Sequence, residues 1–435
     1  MSTVQATMDI PPSSRGKLRM LLDADLGFHG TNTNQGSHGW HPFPAKFPPQ
    51  LPGLFIEELT DGGDTVLDPM LGSGTTLVEA ARLGRNAIGC DIDPLARLIA
   101  GAKLAPLPAD LAMAVGMEIL ERAKVRHAVD SGALAAERDC RFDAKTREFL
   151  NYWFSESVQR ELLALLVEVE ALADDVARRY LQVVFSSTII AKSGGVSLAR
   201  DLAHTRPHRV CDKPPRSAFA EFERRLRNNQ RFDVTPTGRH EVRDAPAEAT
   251  GLPDASVDLV VTSPPYANNA IDYMRAHKFS LVWLGWPIGE LTKIRKHYLG
   301  HDAVSRPIDA ASTAQLPRQC ERSLERLAVV DERKAQVLRR YFSEMGSVLA
   351  EVTRVLKPGK AAVVVVGTSR LRGIDVETHK GLASLGVATG LDLAGIGTRE
   401  LDRDKRMMPA RWGKTRASRI EERMHPEFGI GLIKP

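Results

Sequence analysis

Cysteine is scarce in this chain. Four residues, Cys90, Cys140, Cys211 and Cys320, are scattered over 435 positions. None forms a CxxC pair, so neither a zinc ribbon nor a disulfide framework is expected, and the thiols are read as reduced. Long apolar runs are missing too: no stretch of about 18 or more apolar residues exists, which excludes a membrane-spanning helix. The N-terminal MSTVQATMDIPPSS has no basic region leading into an apolar core, so no secretory signal is expected and the cytoplasm is the expected compartment. The twelve histidines show no HExxH or other metal-binding spacing, so no metal is expected. Internal repeats are absent as well.

Apolar residues make up 43% of the chain and charged residues 26%, ordinary values for a globular protein with its own core. The net charge is only +5, but it is unevenly placed. Residues 200–239 carry ten Lys/Arg against five Asp/Glu, and residues 403–423 carry eight against three. Each segment therefore holds a surplus equal to that of the whole chain, and the remainder is net acidic. Clustered positive charge suits a polyanion such as nucleic acid; a solvated basic face is the plainer alternative.

Alternation of strand and helix patterns places the chain in the α/β class. DTVLDPMLGSGTTLVEAARLG (64–84) reads as strand, glycine turn and helix, and NAIGCDIDPLARLIAGAKL (86–104) repeats that order. Together they form a βαβ unit and imply a parallel sheet. Residues 105–235 break the rhythm with helical patterns and end in the proline-punctuated basic segment RPHRVCDKPPR. The rhythm resumes at residue 236, with buried strands expected at DLVVT and AAVVVVG and a closing strand at PEFGIGLIKP. The predicted division is one α/β domain from residues 1–104 and 236–435, interrupted by a mostly helical insertion at 105–235.

Two turns carry the chemistry. In LDPMLGSGTT, Asp68 ends a strand, and Gly72 and Gly74 let the backbone approach a ligand at the start of a helix. The stretch lacks the GK[ST] ending of a phosphate loop, so a ligand bearing a carboxylate and an ammonium suits it better than a triphosphate. Asp91, at the end of the next strand, stands where an acid accepts bonds from ribose hydroxyls. Asp93 before Pro94 reads as a helix cap. Asp244 reads as the end of a third strand, placed to meet an adenine amino group or to serve as a simple turn residue. The second turn is DLVVTSPPY, where a buried strand stops in a hydroxyl, two prolines and an aromatic ring. Proline cannot continue a sheet ladder, so this tip presents carbonyls of fixed direction.

DPxxGSGTT followed by SPPY resembles the S-adenosylmethionine-dependent DNA amino-methyltransferases, which methylate N4 of cytosine or N6 of adenine. FPAKFPP (43–49) matches the family's segment that closes over the cofactor. The likeness covers roughly residues 41–104 and 236–435 and leaves the insertion outside. It implies a Rossmann-like methyltransferase sheet, mostly parallel and of seven strands. It implies S-adenosylmethionine as cofactor, with Asp68, Gly72 and Gly74 at its methionine end, Asp91 at its ribose, Asp244 at its adenine, and Lys46 and Phe47 beside it. Ser263, Pro264, Pro265 and Tyr266 would form the catalytic tip against one base flipped out of double-stranded DNA. Ser263 stands where adenine enzymes more often carry Asp or Asn, which favours cytosine N4 over adenine N6. Methylation at cytosine C5 needs a nucleophilic cysteine after a proline, and none of the four is so placed. An RNA amino-methyltransferase and a non-catalytic nucleic-acid binder are the competing readings. The insertion is the first candidate for target recognition, residues 267–335 the second, and a restriction endonuclease is a possible partner.

Overall fold

The computed structural model describes residues 14–44, 46–105, 107–129, 131–191, 195–200, 202, 207–210, 213–214, 216–230, 237–267, 272–300, 315–401 and 426–435. The chain opens with α1 (Ser14–Asp23) and α2 (Gln50–Leu59). β1 (Thr65–Asp68), α3 (Thr75–Arg82), β2 (Asn86–Cys90) and α4 (Pro94–Leu104) follow as the expected alternating unit. Then come α5 (Ala109–Val129), α6 (Ser131–Arg141), α7 (Ala144–Trp153), α8 (Glu156–Glu170) and α9 (Asp175–Ile189). A two-residue ribbon, β3 (Ala199–Arg200) with β4 (His208–Arg209), leads to α10 (Ala218–Asn228). β5 (His240–Arg243) and β6 (Val257–Thr262) re-enter the sheet, and α11 (Tyr273–Leu281), α12 (Ile288–Arg295), α13 (Arg318–Ala328) and α14 (Glu332–Val355) lead to β7 (Leu356–Gly367). A second ribbon, β8 (Arg370–Leu371) with β9 (Ile374–Asp375), precedes α15 (Thr378–Ala388), β10 (Asp392–Glu400) and β11 (Pro426–Ile433).

Seven strands form one sheet in the order β10-β11-β7-β6-β1-β2-β5. β5, β2, β1, β6 and β7 run parallel, whereas β11 lies antiparallel between β7 and β10. This is the Rossmann-like methyltransferase arrangement, mostly parallel with one reversed strand. The strand order turns back between β1 and β6, and open α/β sheets bind ligands beyond the carboxyl ends of the strands at that point.

Every residue of β6 is buried, as a central strand covered on both faces requires. Leu259, Val261, Val363 and Val365 face one apolar cluster, while Val260, Val364 and Val366 face the other, the period of two that separates sheet faces. α14 seals the second face with Leu338, Tyr341, Phe342, Met345, Leu349 and Val352, spaced as an amphipathic helix demands, after Asp331 caps its start by accepting from the Lys334 N–H at 3.0 Å. α14 ends at Val355, where the backbone extends and Leu356 opens β7. Between α8 and α9 the helix restarts where Asp174 accepts from the Val176 and Ala177 N–H groups.

The segment between β2 and β5 does not fold around a core of its own. Leu120, Leu163, Leu166 and Val184 belong to the same cluster as Val66, Leu259 and Val363. α9 packs on α4 and α11, so the helical block thickens one helical layer of the sheet. Among the described residues no helix is long and apolar enough to cross a membrane.

Candidate active site

The glycine turn is held from three sides. Gly72 and Gly74 have φ of +49° and +77°, the left-handed region that glycine enters without strain. Gly74 caps α3, and a Cβ there would sit 2.8 Å from the Ala100 Cβ, so this glycine lets α3 approach α4. Asp91 closes the turn: its Oδ2 accepts from the Gly72 N–H at 3.0 Å and its Oδ1 from the Asp93 N–H at 2.9 Å. Behind the turn the buried Lys103 ammonium donates to the Ser73 carbonyl at 2.7 Å, and burial pushes its pKa well down.

The two turns meet directly. Thr262 Oγ1, at the end of β6, donates to Asp68 Oδ1, at the end of β1, at 2.7 Å, and the Met70 N–H donates to the same oxygen at 3.1 Å. The strand ends border a cleft of about 1140 Å³, open mouth included, whose wall includes Lys46, Phe47, Asp68, Gly72, Asp91, Ser263 and Pro265. Seven of the eleven residues singled out in the sequence thus share one cavity. Gly74, Asp244, Pro264 and Tyr266 are not on its wall. Pro264 is buried beside it, and Tyr266 is half-buried with its hydroxyl donating to Glu427 Oε1 at 2.9 Å.

Asp244 stands next to the cleft but not on its wall. Its side chain is 69% exposed, and both carboxylate oxygens accept from Arg97 at 2.8 Å. The chain turns just after β5, so the residues that follow, Ala245 to Glu248, border the cleft in its place. Lys46 lines the cleft with its ammonium bonded to the His38 carbonyl at 2.5 Å.

Several wall residues carried no strong sequence signal. Phe43 stacks on Tyr273 with ring centres 5.3 Å apart, and both line the cleft. Asp93 caps α4, as its place before Pro94 suggested, and also bonds His277 Nδ1 at 2.5 Å and accepts from the Tyr298 hydroxyl at 2.7 Å. Phe43 stands in the quoted FPAKFPP segment, and Tyr273, seven residues past Tyr266, could be read either as a contact to DNA or the base or as an ordinary helix residue; Tyr298 could be found only by knowing which distant segments meet.

Burial raises the Asp68 carboxyl to about 6, with the Thr262 and Met70 hydrogen bonds opposing it. Burial, and then the neighbouring charge of Asp93, raises Asp91 to about 7. For Asp93 burial pushes up as well, but His277 and Tyr298 outweigh it and hold this carboxyl low. No cation among the described residues offsets the burial of Asp68 or Asp91. The cleft therefore offers two poorly neutralised carboxylates, a glycine turn and an aromatic and aliphatic wall. These features fit S-adenosylmethionine, which joins positive charge, ribose hydroxyls and a flat adenine.

The basic clusters look different in three dimensions. Arg224 and Arg225 bond Glu221, and Arg227 bonds Glu223. Lys213 donates to three carbonyls, those of Gly195, Ser197 and Ala199. Four of the ten basic residues counted at 200–239 are thus held by partners within the fold, while the net surplus, from which Glu221 and Glu223 were already subtracted, is unchanged. The cluster at 403–423 lies outside the described residues.

The sheet order is that of a Rossmann-like methyltransferase fold, and the cleft's lining fits S-adenosylmethionine. The N6/N4 methyltransferase family model, described as DNA methylase, matches residues 24–100. The Type II methyltransferase M.MvaI of Kocuria varians is 26% identical over 378 residues, covering 81% of this chain and 81% of that protein. M.BsoBI of Geobacillus stearothermophilus is 26% identical over 62% of this chain and 56% of its own length. M.MjaII of Methanocaldococcus jannaschii is 44% identical over 91 residues, which is 20% of this chain and 17% of the relative. Over residues 24–100, and more loosely over most of its length, the chain is thus similar to the DNA amino-methyltransferases.

Proposed function

We propose that the chain transfers a methyl group from S-adenosylmethionine to the N4 amino group of a cytosine flipped out of double-stranded DNA. The observation that carries this reading is the junction of the two turns: Thr262 bonds Asp68 at 2.7 Å, and Ser263 and Pro265 share one cleft with Asp68, Gly72 and Asp91. Bound S-adenosylmethionine supplies a methyl activated by its sulfonium, so the chain needs to hold and orient its two substrates. Asp68 receives the cationic methionine end, Gly72 lets the backbone approach it, and Asp91 faces the ribose hydroxyls. Lys46, Phe43 and Phe47 border the same cleft.

An exocyclic amino nitrogen is a weak nucleophile because its lone pair is delocalised into the ring. Acceptors aimed at its hydrogens favour the pyramidal geometry needed for attack, and such preorganised dipoles act most strongly in the transition state. The Ser263 hydroxyl and the Pro264 carbonyl are the two acceptors, and the consecutive prolines fix the carbonyl's direction. The Tyr266 ring stacks on the flipped base; such stacking recovers about 1–3 kcal/mol of the cost of unstacking. Ser263 at the head of the Pro-Pro step favours cytosine over adenine.

The test is tritiated methyl transfer to DNA from a host lacking this gene, followed by nucleoside chromatography. Label in N4-methylcytosine supports the reading, and label in N6-methyladenine moves the target base. Label on RNA alone overturns the DNA assignment. A Type II assignment implies an endonuclease that cuts the same unmethylated sequence.

A further inference from the structure

The hydroxyl of Tyr266 has a partner from the far end of the chain. It donates to Oε1 of Glu427, 161 residues away, at the start of β11. The other oxygen, Oε2, is bonded by Nη1 of Arg399, which lies directly opposite Glu427 on β10. Tyrosine and strand pair thus form one chain of contacts.

This ion pair is in an expensive place. The Arg399 side chain is 5% exposed and that of Glu427 12%, and among the described residues the buried Arg399 Nε has no hydrogen-bond partner. A buried ion pair generally adds little stability over apolar residues of similar size. Stability therefore does not account for a carboxylate here, whereas the tyrosine hydroxyl does require an acceptor. The tip leaves β6 through two prolines that donate no backbone hydrogen bonds, so its aromatic ring needs anchoring by a side chain.

We propose that Glu427, clamped by Arg399, is a positioning residue that holds the Tyr266 ring at the angle in which it receives the flipped base. The inference rests on the function proposed above and adds to it a determinant from the β10–β11 edge, far in sequence from either turn. Glu427 acts through Tyr266 and touches neither the methyl donor nor the base.

The experiment measures steady-state transfer to DNA, together with cofactor affinity by calorimetry, for wild type, Tyr266→Phe, Glu427→Gln, Glu427→Ala and the double variant Tyr266→Phe/Glu427→Ala. Tyr266→Phe keeps the ring and the ion pair, so it tests the anchor without exposing Arg399 to an empty partner. The expected result is a fall of about tenfold in kcat/KM for DNA in Tyr266→Phe and in Glu427→Ala, with cofactor Kd unchanged, since one hydrogen bond to a charged group is worth about 1.5–3 kcal/mol. Glu427→Gln still offers a carbonyl to the phenol and is expected to recover most of the loss. The double variant is expected to be no worse than either single change. Wild-type kcat/KM in Tyr266→Phe, or losses that multiply in the double variant, would overturn the anchor while leaving the proposed function standing. Absence of transfer to DNA by the wild type would overturn both.

Discussion

Asp68→Asn is expected to make the free protein more stable and the cofactor complex weaker. Both recorded hydrogen bonds to this side chain, from Thr262 and from Met70, go to Oδ1. An asparagine placed with its carbonyl in that position keeps both and removes only the charge. The native carboxyl is raised from 3.8 to about 6 by burial, so between those values the folded protein holds a proton that the unfolded chain has lost. Stability therefore falls as pH rises through that window, and above it the full penalty remains, about 3 kcal/mol for a rise of this size. Asparagine carries no such penalty. The variant should match wild type below pH 4, exceed it by about half the full amount at pH 5, and by about 3 kcal/mol at pH 8. Chemical denaturation at the two pH values reads this directly, and thermal midpoints should separate in the same direction. Saturating S-adenosylmethionine should then reverse the order at pH 8. Ligand at 1,000 times its wild-type Kd adds about 4.1 kcal/mol to wild type, more than the gap, and the variant, lacking the charge that receives the cation, should gain far less. A stability gap that is the same at pH 5 and pH 8, or equal cofactor affinity in the two proteins, would refute the reasoning.

Three other substitutions or conditions test separate links. Gly74→Ala places a methyl 2.8 Å from the Ala100 Cβ at a φ of +77°, so denaturation should show a loss of about 1–3 kcal/mol. Asp244→Ala should leave cofactor affinity within about twofold of wild type by calorimetry, because its carboxylate is spent on Arg97. A tenfold loss would point to the adenine contact instead. DNA affinity should fall with salt, yet Arg227→Ala should leave the slope of log K against log salt nearly unchanged, since Glu223 already neutralises that guanidinium; a slope shallower by about one would place it on a phosphate.

Features set by neighbouring residues were legible before the structure was. Runs such as DLVVT and AAVVVVG announce buried strands through periodicity, and Gly72, Gly74 and the Pro-Pro step each demand a backbone that few other residues adopt. Their joining was not legible from spacing: Asp68 and Thr262 lie 194 residues apart and meet because β1 and β6 are neighbours in the sheet. Asp244 was assigned from its place after a strand, but the side chain of Arg97, 147 residues earlier, claims it. Counting charges along 200–239 included Glu221 and Glu223 but not their geometry, which sets them one helical turn from Arg224, Arg225 and Arg227 on α10. Tyr298 and Glu427 reach the site through contacts spanning 205 and 161 residues, and no local pattern marks them.

The account's central claim is that the serine–proline tip and the glycine turn are two halves of one site with divided tasks. Ser263→Ala tests it most directly, with calorimetric titration of S-adenosylmethionine and tritiated methyl transfer to DNA measured on the same preparation. The predicted result is cofactor affinity within about twofold of wild type and turnover reduced by about 100-fold, the loss typical of a donor or acceptor that acts in the transition state. Turnover close to wild type with cofactor binding intact would contradict the claim.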